Sequence, residues 1–292
     1  MRLQRLARSA AAVLGQDSAL VKSARPFYQR SLVWLTGDRG VPWTLNGVPF
    51  RIGARQRHRM GEIYDPEVAA FLASHIRPGS ICFDVGANVG VYALQFAQWT
   101  GPSGRVVAFE PNPVSAGALA EHIRMNGFSN RVTVVEAAVA DQAGIATFHM
   151  ADADGMSRLG APNPEIASLT RPVSVTVTTV DDYCAVEGAD PEWLLIDVEG
   201  FEFAVLSGAR ATFARLGERL NVIVEMHPNA WSVSGWSRAA AESLLDSLGV
   251  VPVPLSGQAD PLGDYGHVLL QQPGAPIPVS LAGPPVEPTS LP

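Results

Sequence analysis

The stretch Phe83–Gly90 reads FDVGANVG. Apolar residues lead up to Asp84, and two glycines four positions apart follow, Gly86 and Gly90, with Asn88 between them. Glycine lets the chain turn sharply and lets a ligand approach the backbone closely. SICFDV (80–85) has the composition of a buried strand, and Val91–Trp99 has that of a helix. Strand, glycine turn and helix make a ligand-binding corner at the carboxyl end of a parallel sheet. A dinucleotide fingerprint there reads G-x-G-x-x-G. Aligned from Gly86, its second and third glycines fall at Asn88 and Val91, and both fail. Asn88 holds a pyrophosphate off the backbone, and Asp84 adds negative charge. The corner suits a ligand with a cationic end, such as S-adenosylmethionine with its ammonium and sulfonium.

Working outward, GRVVAFE (104–110) reads as a second strand ending in Glu110, twenty residues beyond Gly90. An acid at that strand end can accept both ribose hydroxyls. Helix 113–127 and strand 131–139 follow, then strands 193–198 and 220–226 separated by a helix over 202–216. A helix at 237–248 precedes VVPVPL and YGHVLLQ. Alternating strands and helices predict an α/β fold, a parallel sheet covered on both faces. Between the third and fourth strands lie short strands, 145–150 and 173–180, around a polar loop. Upstream, WTLNGVPFRIG (43–53) carries the Asn-Gly hairpin signal. DPEVAAFLASHI (65–76) reads as a helix with Asp65 at its N-cap.

FDVGANVGVYALQFA, VVAFEPNP, LLIDVEGFEFAVLSGA and VIVEMHP, in this order, resemble the FkbM-type S-adenosylmethionine-dependent methyltransferases over about Tyr64–Leu270. The resemblance implies the class I Rossmann-like fold, with seven strands of which the last is antiparallel. It implies O-methylation of a small-molecule, sugar or glycolipid hydroxyl. Asp84, Gly86, Asn88 and Gly90 would be the cofactor loop, Glu110 the ribose acid, and Ala137–Ala138 the neighbours of the adenine. One position departs: the family usually has a lysine where this chain has Leu195. Rival readings are a catalytically silent protein that keeps the cofactor fold, which Leu195 favours, and a nicotinamide oxidoreductase, which the failed fingerprint opposes.

The acceptor hydroxyl needs a group to take its proton. Asp197 and Glu199 stand at the end of the fourth strand, Glu225 and His227 at the end of the fifth. His227 is the natural base near neutrality, with Asp197 and Glu225 beside it. The alternative is that Asp197 and Glu225 hold Mg²⁺, which would lower the hydroxyl pKa.

Composition bounds the rest. Of 292 residues, the first 60 hold eleven Arg or Lys against Asp17 and Asp38, leaving ten bases and twenty-six acids beyond. So acidic a body argues against a nucleic-acid substrate. The basic N-terminus could touch an anionic membrane surface or pack on the acidic domain. The two cysteines lack metal or disulfide spacing, and the sequence shows neither a membrane-length apolar run nor a clear secretory signal. The protein is therefore expected to be cytoplasmic. Three regions are expected: a basic helix and hairpin extension at 1–60, the methyltransferase domain at 61–271, and a disordered Pro-rich tail at 272–292.

Overall fold

The computed structural model describes residues 27, 30–151, 157–162 and 167–274. The helix expected over 1–24 lies outside them, as does the tail beyond 274.

Thirteen strands are described: β1 (Val41–Leu45), β2 (Val48–Ile52), β3 (Ile81–Val85), β4 (Arg105–Phe109), β5 (Val132–Val135), β6 (Ala138–Val139), β7 (Gly144–Ala151), β8 (Arg158–Leu159), β9 (Thr170–Thr178), β10 (Trp193–Ile196), β11 (Asn221–Met226), β12 (Val251–Pro254) and β13 (Gly266–Gln271). Seven build the central sheet, in the order β12-β13-β11-β10-β3-β4-β5. Its strands run parallel except β13, which pairs antiparallel with β11 and β12. From β3 the chain adds β4 and β5 on one side and later β10 on the other, so strand order reverses at β3/β10. Ligands bind outside the strand carboxyl ends at such a switch point.

Both faces of the sheet are apolar because both are covered. Cys82, Trp193, Leu195 and Ile223 pack with the helices Pro66–His75 and Val91–Trp99. Phe83, Val85, Leu194 and Ile196 face the helices Glu202–Ser207, Arg210–Leu216 and Arg238–Leu248. A second sheet, β6-β9-β7-β8, is built from the insertion, and its own small core includes Phe148, Val175 and Ala204.

The structure revises four expectations. The strand at 131–139 divides between the two sheets, β5 and β6, with Glu136 and Ala137 turning the chain between them. The helix at 202–216 divides at Gly208, where a Cβ would overlap the Ala140 carbonyl oxygen. A further helix, Val180–Glu187, follows β9. Thr179 caps it by accepting from the Asp182 N–H at 2.9 Å, and Asp181 and Asp182 complement its first turn. Fourth, the hairpin is no appendage. Asn46 (φ 47°) and Gly47 (φ 82°) form its turn, and Val41, Leu45, Phe50 and Ile52 join the cluster containing Leu119 and Ile123.

Candidate active site

A cavity of about 520 Å³ opens at the carboxyl ends of β3, β4, β10 and β11. One half is built by the glycine loop. Gly86, Asn88, Glu110, Asn112, Ser115 and Ala137–Val139 line it. Gly86 (φ 90°) must lack a side chain because a Cβ would collide with the Asp197 carbonyl oxygen, so the glycine joins the β3 loop to the end of β10. Asn88 adopts the left-handed region at φ 49°, which asparagine tolerates better than most residues. Its N–H donates to Glu110 Oε2 at 2.7 Å, and the Asn112 N–H donates to Glu110 Oε1 at 2.8 Å. Burial pushes the Glu110 carboxyl up to about 7, against those two N–H groups and Arg59. Each Glu110 oxygen keeps acceptor capacity for a diol.

Two expected loop residues stand elsewhere. Asp84 and Gly90 do not line the cavity. Asp84 is buried beneath the loop and accepts from the Ala93 N–H in the first turn of helix Val91–Trp99. Burial pushes its carboxyl up to about 7, opposed by the Ala93 bond and reinforced by Glu110. Its Oδ2 has no hydrogen-bond partner among the described residues. Gly90 (φ 98°) is needed for packing, since a Cβ there would overlap the Leu119 side chain.

The other half of the cavity is acidic and aromatic, lined by Tyr64, Asp65, Asp197, Glu199, Phe201, Glu225 and Tyr265, with Arg158 at its edge. Ligand atoms of Asp197, Glu225 and His227 lie within 4.8 Å of one another. Asp197 is held far above the usual carboxylate range by burial, then by the charge and hydrogen bond of Glu225. Glu225 is buried too, but the bond from Asp197 and the charges of His267 and His227 keep it low. The hydrogen bond between the two carboxyls thus favours the protonated form of Asp197 and the ionised form of Glu225. The Tyr265 hydroxyl also donates to Glu225. Burial pushes Glu199 up to about 7 against the charge of His227.

His227 is fixed from behind. Its Nδ1 meets Glu202 Oε1 at 2.7 Å, while Nε2 lies 3.7 Å from Glu199 Oε2 and 3.8 Å from Glu225 Oε2. Glu202 is fully buried and accepts in addition from the Gly200 N–H at 2.8 Å and the Trp231 indole at 3.1 Å. Burial opposes a charged ring, yet the bond and charge of Glu202, with Glu199 and Glu225, raise the His227 pKa to about 9. These surroundings favour the charged ring more than those of an ordinary histidine, near ~6.5, do.

Sequence reasoning named Asp197, Glu199, Glu225 and His227, and the fold brings them together. It missed Glu202, which stands in the quoted EGFE stretch but had no expected role. It also missed Arg59, Tyr64 and Tyr265 in the cavity wall, for which no local pattern exists. Asp65 holds the N-cap position as expected, its carbonyl accepting from the Ala69 N–H at 2.8 Å, but its side chain makes no cap bond. Its φ is 39°, and its carboxylate accepts from the Tyr92 hydroxyl at 3.0 Å. Trp231 and Trp236 pack on Phe203 rather than lining the cavity.

This strand order, with a glycine loop after β3 and an acid after β4, is the class I methyltransferase architecture. The methyltransferase FkbM domain matches residues 84–249, and the chain belongs to that family. The 2-O-methyltransferase NoeI of Sinorhizobium fredii is 26% identical over 152 residues, which cover 48% of this chain and 61% of NoeI. The 31-O-demethyl-FK506 methyltransferase FkbM of Streptomyces tacrolimicus is 46% identical over 72 residues, 24% of this chain and 26% of that protein. The chain therefore spans less than two thirds of the length of either relative. The solved structure of Podospora anserina PaMTH1, bound to S-adenosylhomocysteine, covers 71% of this chain and 77% of its own at 9% identity and a TM-score of 0.43.

Proposed function

We propose that the protein is an S-adenosylmethionine-dependent O-methyltransferase acting on a hydroxyl of a small molecule or glycan. The observation that carries this is one cavity joining the Asn88–Glu110 half to an acidic half lined by Asp197, Glu199 and Glu225, with His227 against those acids. The residues present fit the cofactor: Glu110 offers both oxygens to a ribose diol, Ala137 and Ala138 leave room for a flat base, and the acids beyond favour a cationic ligand. When bound, S-adenosylmethionine supplies an electrophilic methyl group. The chain's own contribution is to orient the acceptor and take its proton. Glu202 holds Nδ1 of His227, which leaves Nε2 toward Glu199 and Glu225 in the cavity wall. Once that ring is neutral, Nε2 can accept the hydroxyl proton, and Glu199 and Glu225 stabilise the imidazolium so formed.

Calorimetry with S-adenosylmethionine, S-adenosylhomocysteine and NAD tests the cofactor. Binding of NAD alone would overturn the reading. A second reading keeps the reaction and replaces the base: Asp197, Glu225 and His227 are close enough together to share a divalent ion that would lower the hydroxyl pKa. Abolition of turnover by EDTA and its recovery with Mg²⁺ would favour that version. Full turnover in EDTA would favour His227 as the base.

A further inference from the structure

The region matched by the methyltransferase domain begins at residue 84, yet the cavity wall includes Arg59, Tyr64 and Asp65. All three come from one short segment, 57–65, upstream of the match. We propose that this segment is a working part of the site, and that Arg59 is a positioning residue for the cofactor loop. The inference rests on S-adenosylmethionine being the cofactor.

The segment is pinned at two points. Met60 is fully buried in the core that holds Ile52 and Val68. Further along, Asn46 in the hairpin turn grips both backbone groups of Tyr64. Its Nδ2 donates to the Tyr64 carbonyl at 2.7 Å, and its Oδ1 accepts the Tyr64 N–H at 2.9 Å. The Asn46 N–H adds a bond to the Glu62 carbonyl at 2.9 Å. The Asn-Gly turn thus serves as a clamp as well as a hairpin.

Immediately before the Met60 pin, Arg59 crosses to the glycine loop. Its Nη2 donates to Asn88 Oδ1, and to Ser115 Oγ at 3.1 Å. Asn88 is the loop residue held at positive φ, and its N–H is the one that Glu110 accepts. One guanidinium therefore fixes the Asn88 side chain from one side while Glu110 fixes its backbone from the other. The Arg59 charge also favours the ionised form of Glu110, the form that accepts both hydroxyls of a ribose. Both bonds leave the single Nη2, so a lysine supplies the charge and part of the bonding but not the guanidinium's planar, pre-organised head.

The test is calorimetric titration of S-adenosylhomocysteine into the full chain and into Arg59→Met, Arg59→Lys, Asn88→Ala and the Arg59→Met/Asn88→Ala pair, each with its melting temperature. Arg59→Met should weaken binding at least tenfold, and Arg59→Lys should recover part of the loss. The double variant should lose clearly less than the sum of the two single losses, because Arg59 acts largely through Asn88; a merely structural role would give additive losses that track melting temperature. Should Arg59→Met prove unfolded, the folded Arg59→Lys decides by its own affinity. Wild-type affinity in a folded Arg59 variant, or additive losses, would overturn the assignment and leave the cofactor reading intact. Failure of the wild-type chain to bind S-adenosylhomocysteine would overturn both.

Discussion

Glu202→Gln isolates the effect that sets the chemistry of His227. The glutamine keeps the side chain's shape and an oxygen able to accept the Nδ1 proton, so the ring keeps its orientation, but the buried charge is gone. Raising an imidazole from 6.5 to about 9 favours the charged ring by roughly 3 kcal/mol. That net gain survives an opposing burial cost, and Glu202, at 2.7 Å, contributes more than Glu199 or Glu225. The variant's His227 pKa should therefore fall by at least about one unit. The assay is NMR titration of the labelled ring, which needs no acceptor. Once an acceptor is known, turnover at neutral pH should shift with it, because more of the base is neutral. Stability is linked with a definite sign. The folded pKa lies above the unfolded one, so His227 stabilises the wild type fully below about pH 6.5, and that stabilisation disappears as pH rises through about 9. Glu202→Gln should flatten this dependence. A wild-type ring titrating near 6.5, or a variant ring still titrating near 9, would refute the reasoning.

Asp84, Glu110 and Glu199 all have folded pKa values raised to about 7. Their contributions also fade as pH rises through 7, so the ligand-free protein should melt at a lower temperature at pH 8 than at pH 5.5; the reverse order would contradict the burial argument. Glu110→Ala should weaken S-adenosylhomocysteine binding by about tenfold or more, since each hydrogen bond to a charged group contributes about 1.5–3 kcal/mol, and unchanged affinity by calorimetry would remove it from the site. Gly86→Ala should lose more than about 3 kcal/mol in denaturant unfolding, overpacking alone costing about 1–3 kcal/mol, because φ 90° and the Asp197 carbonyl both exclude a Cβ. A near-neutral effect would show that the β3 and β10 ends can separate.

The sheet was legible because its evidence is local: apolar strand runs, the glycine turn, and helices of 3.6-residue period between them. The four groups at the ends of β10 and β11 were legible because strand ends in a parallel sheet converge whatever the sequence between them. What the sequence hid depends on contacts across distance. Glu202 follows Asp197 by five residues, but its role comes from Trp231 and His227 folding over it. Arg59 reaches Asn88 only because Met60 and Asn46 anchor its segment. The position of Asp84 on its strand was readable, while its burial beneath the loop and its bond to the Ala93 N–H depend on how the helix packs over it. The break at Gly208 arises from the approach of Ala140, which belongs to the inserted sheet.

Leu195 is where the idea of a silent protein can be examined. It is buried in the sheet face, not in the cavity, so its apolar side chain leaves Asp197, Glu199, Glu225 and His227 in place. In register it stands beside Asp84, the carboxyl whose Oδ2 has no hydrogen-bond partner among the described residues. A lysine at 195 would therefore act on Asp84 rather than on the acceptor. Leu195→Lys puts an ammonium into a buried strand, and an unpaired buried charge costs about 3–5 kcal/mol. Beside Asp84 much of that cost should be offset by pairing, and the Asp84 carboxyl should fall from about 7 toward the ordinary range. In an Asp84→Asn background the same lysine has no counter-charge and should cost the full amount. Urea unfolding of the wild type, both single variants and the double variant measures the coupling directly. Equal destabilisation by Leu195→Lys in both backgrounds would mean that position 195 does not communicate with Asp84. The loss of lysine would then have to be explained through the cavity after all.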